Sequence, residues 1–308
     1  MIRLCRKRIL IPSLVILVAG AVFFSLFIPV DPGQLYRRVG FSYRFYDRSG
    51  NLLHAGLSSN GFLFEPVAMG DIPAHTVAAL VLLEDRRFFS HAGIDFQAIG
   101  RALWQQLSAS RTKSGASTLT MQLARNVFAR PRNVFSKLLE TWYALRLEKT
   151  FTKAQILEHY FNTIPFGSRI IGIRTAARHY FDRPVEKLSP AQGAYLAALA
   201  RFPAYAGKKH NLKAVRDRQL LALRMLREDG ILDAAAFRSA CAEQIVIRTG
   251  IQPRIAPHFT DMLLQQLRQR YAAQLHRIQA IHTTLDSTAQ LDCETKAAAI
   301  VRQLADKR

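Results

Sequence analysis

A mainly α-helical fold with one small β-hairpin, preceded by a single transmembrane helix, is the fold class this sequence predicts. Three observations predict it. Ile9 to Val30 is a run of 22 residues without a charge, and a helix of that length reaches roughly 30 Å, one bilayer core. From Pro73 onward apolar residues recur at helical spacing almost without a break. Between these regions, Tyr43–Tyr46 and Asn51–His54 flank Asp47-Arg-Ser-Gly50, the turn chemistry of a short hairpin.

The elements follow in chain order. Residues 1–8 hold Arg3, Arg6, Lys7 and Arg8 and no acid, a basic tail that stays on the cytoplasmic side. A cleavable signal peptide has an apolar stretch of only about 7–15 residues before a small-x-small site. Here Ala19-Gly20-Ala21 lies inside the run, so residues 9–30 read as an uncleaved anchor and everything after Val30 as exported. Helices are expected at about 73–89, 94–109, 117–128, 134–150, 152–162, 170–181, 189–201, 212–228 and 233–243. Gly93, Gly115, Pro131, Gly167, Pro184, Pro203 and Gly230 punctuate them. The pattern breaks at Ile245–Pro257, then gives a helix near 258–273, a strand at Ile281–Leu285 and a last helix from about 287.

Composition limits the function. Hydrophobic residues make up 49% of the 308, enough to bury a core and exclude a disordered chain. Cys5, Cys241 and Cys293 are too few for a disulfide scaffold. With 43 Lys and Arg against 22 Asp and Glu, the net charge is +21. That asks for an anionic partner. Export argues against nucleic acid and leaves an anionic membrane surface or a phosphate-bearing substrate.

Three segments could carry chemistry. Glu84-Asp85-Arg86-Arg87 closes an apolar helix, and a carboxylate at a helix C-terminus suits a general base or acid. A surface pairing of Glu84 or Asp85 with Arg86 or Arg87 fits the same residues. Gly115-Ala-Ser-Thr opens a helix whose N-terminus is an anion site, and Thr118, Gln122 and Arg125 share its polar stripe. An ordinary amphipathic helix would look alike. Lys137 and Glu140 stand one turn apart, as a weak surface ion pair also would. Charge joins the segments. Phe96–Leu139 contains no acid, yet it holds Arg101, Arg111, Lys113, Arg125, Arg130, Arg132 and Lys137. An acid-free basic segment between two carboxylates reads as a phosphate cradle beside an acid/base pair; a solvated basic face is the alternative.

In this order the segments resemble the peptidoglycan glycosyltransferase family, which comprises monofunctional glycosyltransferases and the N-terminal domain of class A penicillin-binding proteins, here with a C-type flavour. Five motifs carry the resemblance: EDRRFFSHAGID (Glu84–Asp95), GASTLTMQLARN (Gly115–Asn126), SKLLETWYALRLE (Ser136–Glu148), KAQILEHYFNTIPFG (Lys153–Gly167) and LSPAQGAYLAAL (Leu188–Leu199). The resemblance implies a lysozyme-like bilobal transferase domain at 31–245 and, at 246–308, a tail like the linker before a transpeptidase domain, with no transpeptidase domain following.

It also implies an activity: polymerisation of lipid II into glycan strands, with inversion at the donor anomeric carbon and release of undecaprenyl diphosphate. Glu84 matches the base that deprotonates the acceptor 4-hydroxyl, and Glu140 the second carboxylate. Arg125, Arg132 and Lys137 match diphosphate contacts; Ser117, Thr118 and Gln122 match donor-site contacts. Asp85 and His91 match positions that support the motif's structure. A divalent cation, magnesium or manganese, at Glu140 is the one cofactor the resemblance admits, with no organic cofactor. The implied partners are lipid II, the nascent strand, the membrane and cell-wall synthesis proteins, a transpeptidase among them, with no nucleic acid. The implied location is the bacterial inner membrane, single-pass, N-terminus inside and catalytic domain periplasmic. A catalytically inactive lipid II-binding scaffold is the competing reading. Its support is four departures from the motifs: Ser136 where Arg is usual, Met121 for a Gln, Arg125 for a Lys, and Gln192 for a Glu.

Overall fold

The computed structural model describes residues 17, 20–108, 117–128, 133–167, 169–202, 212–247, 255–271 and 278–305. The basic tail and most of the expected anchor lie outside them. Among the described residues no helix is long and apolar enough to cross a membrane. Residues 20–25 are helical, with Val22, Phe23 and Phe24 exposed.

Helices α1 (Pro32–Tyr36), α2 (Ala74–Glu84), α3 (Phe96–Leu107), α4 (Leu119–Phe128), α5 (Val134–Thr150) and α6 (Lys153–Thr163) are followed by α7 (Ile173–Phe181), α8 (Pro190–Leu199), α9 (Leu212–Glu228) and α10 (Ala234–Ala242). The tail adds α11 (Pro257–Tyr271) and α12 (Ser287–Ala305). Two helix starts are written in the sequence. Thr152 with Gln155, and Ser189 with Gln192, form capping boxes in which each pair satisfies two otherwise orphaned backbone donors. Gln192, one of the departures from the motifs, therefore does the capping work that a Glu does there.

Two helix groups build the body. α2, α8 and α9 pack together with α10 at their edge, and α4 packs on α5 and α6. α2 and α8 are apolar nearly all round, as central helices must be; Ala79–Leu82 of α2 and Ala194–Leu199 of α8 are buried. Their backbones approach at Gly193, where a Cβ would run into the Thr76 hydroxyl and come within 3.0 Å of Thr76 Cβ. Gly193→Ala is expected to destabilise the protein by about 1–3 kcal/mol through overpacking, lowering Tm by about 2–4 °C per kcal/mol. Adding Thr76→Ala should recover part of the loss, since among the described residues the buried Thr76 hydroxyl has no hydrogen-bond partner to forfeit. An unchanged Tm in Gly193→Ala would show that the contact relaxes freely.

The hairpin forms as expected. β1 (Arg44–Tyr46) pairs antiparallel with β2 (Leu52–Ala55) across a turn in which Asp47 accepts from Ser49 N–H and Asn51 N–H. Three features differ from the sequence reading. α2 stops at Glu84 instead of about 89: Asp85 leaves helical geometry at φ −160°, and Phe88–Ser90 form a 3-10 turn. The segment read as one helix from 170 opens as a strand. β3 (Leu63–Phe64), β5 (Ile170–Ile171) and β4 (Pro165–Gly167) make a second sheet in that order. The tail strand β6 spans Ala280–His282 and joins β1 in parallel, a long-range pairing that local periodicity does not encode. Ser287 Oγ locks it by donating to Asp47 at 2.6 Å. The Ser287 and Asn51 bonds hold the Asp47 carboxyl well below the usual carboxylate range. Cys241 and Cys293 are free thiols.

Candidate active site

The site begins where α2 ends. Glu84 is its last residue, and its side chain is only 4% exposed. A buried carboxylate needs partners, and three reach it. Arg218 of α9 donates to Oε1 at 2.7 Å, Gln122 of α4 donates Nε2 to Oε2 at 3.0 Å, and the Arg201 guanidinium stands 3.8 Å from Oε2. The pairing of Glu84 with Arg86 that the sequence allowed is not made; Arg86 turns to Asp229 at 3.0 Å.

Gln122 is itself aimed. The Tyr160 hydroxyl donates to its Oε1 at 2.9 Å. Complete burial, with the Glu84 charge close by, pushes the Tyr160 phenol far above its ordinary value. The hydroxyl keeps its proton and donates it to the amide oxygen, so that the amide nitrogen faces Glu84.

The turn after α2 is braced from α4. Asp85 accepts Leu119 N–H at 2.9 Å and His91 Nε2 at 3.0 Å, while Gly93 N–H donates to His91 Nδ1. The ring is thus held from both sides. Gly93 has φ +90°, and a Cβ there would press on Glu148 Cγ at 3.0 Å and Ala144 O at 3.2 Å. Lys153 completes the brace, donating to His91 O and to Glu148, which also accepts from Thr120. Asp85 and His91 hold the loop that carries Glu84 and face each other in doing so.

A cleft of about 540 Å³ opens over these residues. Ser117, Thr118, Arg125 and Lys137 line it with Glu84, joined by Arg87, Arg101, Arg201 and Arg218. Gln122 meets it through Glu84. Thr118 turns its hydroxyl inward, donating to Gly93 O at 2.7 Å and accepting Met121 N–H. Lys137 Nζ bridges Ser117 Oγ at 2.9 Å and Glu140 at 3.0 Å. Glu140 lies beside the cleft, in a small recess with Arg125 and Tyr143. Arg132 lies outside the described residues. Among those described, Arg101 and Arg125 meet no carboxylate, so two cations face the cleft unneutralised. Met121 is buried, and Ser136 serves the start of α5 by donating its N–H to the Asn133 cap. Neither departure reaches Glu84.

Arg201, Arg218 and Tyr160 are the residues sequence reading passed over. Arg218 lies far along the chain from Glu84, and only the packing of α9 on α2 joins them. Arg201, directly after the apolar Ala194–Ala200, is the one with a local signal; Arg218 stands among other charges in Lys213–Gln219 and Tyr160 carries no charge to mark it.

A family model described as transglycosylase matches residues 54–227, more than half of the chain. The chain belongs to the peptidoglycan glycosyltransferase family. Penicillin-binding protein 1A of Aquifex aeolicus is 34% identical over 257 residues, covering 82% of this chain and 32% of that protein. Penicillin-binding protein 1B of Escherichia coli is 35% identical over 244 residues, 75% of this chain and 28% of that protein. A Cupriavidus necator protein named for a transglycosylase is 37% identical over 183 residues, 59% of this chain and 79% of that protein. The chain thus spans about a third of the penicillin-binding proteins it matches. All five motifs fall within the matched segment, and apart from Gly115 and Ala116, which lie outside the described residues, they lie on the helices, strands and turns just described.

Proposed function

We propose that this member of the family polymerises lipid II, and the observation that carries the reading is the cleft: the buried Glu84 carboxylate on its wall, with Arg101 and Arg125 facing it unneutralised. Transfer from a sugar diphosphate uses both. The acceptor 4-hydroxyl gives its proton to Glu84 as its oxygen attacks the donor anomeric carbon. Each carboxylate oxygen has two lone pairs, so Glu84 accepts that proton without first shedding Arg218 and Gln122. The diphosphate leaves from the opposite face, inverting the centre, as single-displacement glycosyl transfer requires. Charge then grows on phosphate oxygens, where Arg125, Lys137 and Arg132 match the family's diphosphate contacts, and preorganised cations stabilise that transition state. Undecaprenyl diphosphate departs and the elongated strand stays, to pass to a transpeptidase and other cell-wall proteins.

Among the described residues no group of three or more His, Cys, Asp or Glu side chains is placed to hold a metal ion. Glu140 already carries Lys137 on one oxygen. Magnesium or manganese would therefore sit there only in company with substrate phosphates, as Mg²⁺ commonly does, and it would serve to neutralise them.

The same reading puts the chain in the bacterial inner membrane through residues 9–30, N-terminus inside, with the lysozyme-like domain in the periplasm. Two things support it. Arg146 grips Ile28 O at 2.7 Å and Lys149 sits 4.3 Å over the Phe27 ring, fastening the end of the apolar run to α5. Phe96 and Trp104 of α3, beside the cleft, are 75% and 72% exposed, an apolar surface of the kind that meets lipid.

The test is polymerisation of purified lipid II by the full chain in detergent, with and without a divalent cation and with moenomycin, an inhibitor of the family. Muramidase-sensitive polymer that moenomycin abolishes is expected. Lipid II binding without polymer under every cation condition would leave the scaffold reading in its place.

A further inference from the structure

A second cavity, of about 490 Å³, lies away from the cleft and falls in the size range of small-molecule sites. Its walls are Tyr36, Phe41, Tyr43 and Leu57, its rim is Arg37 and Arg268, and Ser58–Asn60 close one side. The back wall is a fixed aromatic cluster: Tyr36 and Phe41 stand 5.6 and 5.5 Å from Phe64, ring to ring. Tyr36 is pinned by a 2.7 Å bond between its hydroxyl and His159 Nδ1. The closing loop is bolted on. Ser58 Oγ donates to Val39 O at 2.6 Å, and Asn60 Nδ2 donates to Arg37 O and Arg38 O at 3.0 Å. The cavity is preformed, which spares a ligand the cost of ordering it.

Two facts say what it takes. No Asp or Glu lines it, and among the described residues neither rim guanidinium has a carboxylate partner. An apolar well under two free guanidiniums is complementary to an anionic head on an apolar body, and guanidinium pairs bind phosphate in forked geometry. Its place supplies the rest. Gly33–Tyr43 follow within a few residues of the apolar run that ends at Val30. Gly33–Tyr43 and Arg268 lie outside the matched stretch 54–227, which supplies Leu57–Asn60, so the cavity forms where the flanks of this chain meet the transferase core.

We propose that this cavity is a binding site for an anionic phospholipid, with its phosphate between Arg37 and Arg268 and the start of an acyl chain against Tyr36, Phe41 and Leu57. It rests on the membrane attachment proposed above. Because α11 supplies Arg268, an occupied site would also clamp the tail to the segment that leaves the membrane.

The experiment uses the full chain in neutral detergent and three probes: dihexanoyl phosphatidylglycerol, dihexanoyl phosphatidylcholine and glycerol 3-phosphate, with affinities read by native mass spectrometry. Phosphatidylglycerol is expected to bind at least about tenfold more tightly than either other probe. The double variant Arg37→Gln/Arg268→Gln should lose about tenfold or more, bringing it to the phosphatidylcholine level, as two charge-assisted bonds are removed. The same variant should keep native lipid II polymerisation and Tm. If the double variant binds phosphatidylglycerol as well as the native chain, the site is refuted. Equal binding of glycerol 3-phosphate would make it a free-phosphate site and refute the lipid assignment. Because the probes are short-chain lipids in detergent, these outcomes do not depend on the anchor, which membrane fractionation tests separately; nor do they depend on the transferase reading, since polymerisation is assayed in parallel.

Discussion

Glu84→Gln is expected to reduce lipid II polymerisation by about 10²–10⁴-fold, the usual contribution of a general base, while lipid II still binds. An amide has nearly the same shape but cannot take the acceptor's proton. It also offers one acceptor oxygen where Glu84 offers two, and the native pair serves Arg218 on one side and Gln122 on the other. One donor is therefore left facing an N–H₂, so about 1–3 kcal/mol of stability should go with the activity. The two losses separate cleanly in single-turnover measurements at a temperature well below Tm, where the folded fraction is complete. If the variant polymerises at the native rate there, the base is some other group. If it neither binds lipid II nor polymerises, Glu84 holds substrate rather than moving a proton.

Much of this site could be read in the sequence, because motif residues on one helix or one turn keep their relations when the chain folds. Gln122 and Arg125 were expected on one stripe of a helix, and they lie on α4 near Glu84 and its cleft. Lys137 and Glu140, expected one turn apart, are a 3.0 Å pair. The hairpin at Asp47–Gly50 follows from turn chemistry alone. What could not be read depends on contacts across the fold. Tyr160 lies in the fourth motif, yet its bond to Gln122 joins α6 to α4. Arg218 becomes a neighbour of Glu84 only because α2, α8 and α9 pack together, which in turn needs Gly193 small. The parallel partner of β1 comes from the tail, more than two hundred positions away. The length of α2 was misjudged for a local reason: the apolar pattern runs on through Phe88 and Phe89, but Asp85 is drawn out of the helix to bond Leu119 and His91.

Arg218→Gln carries the second large effect, because it changes the surroundings of the base without removing it. Arg218 Nη2 donates both to Glu84 Oε1 at 2.7 Å and to Leu83 O at 3.1 Å, so one nitrogen serves the carboxylate and the end of α2 together. Removing one partner of a buried pair costs about 3–5 kcal/mol. At 24% exposure Arg218 is partly screened, which puts the expected loss toward the lower end. The more telling readout is the split between kcat and KM. Without the guanidinium that fixes Oε1, the carboxylate is free to turn away from the acceptor hydroxyl, and a small misplacement of a catalytic group costs about 10–100-fold in rate. kcat should therefore fall by about that factor, with KM little changed. Arg218→Lys retains a cation and should keep most of the native kcat while losing the second contact to Leu83. A loss of stability in Arg218→Gln with kcat unmoved well below Tm would make Arg218 a packing residue. A fallen kcat that Arg218→Lys restores makes it the positioning residue that holds Glu84 aimed at the acceptor hydroxyl.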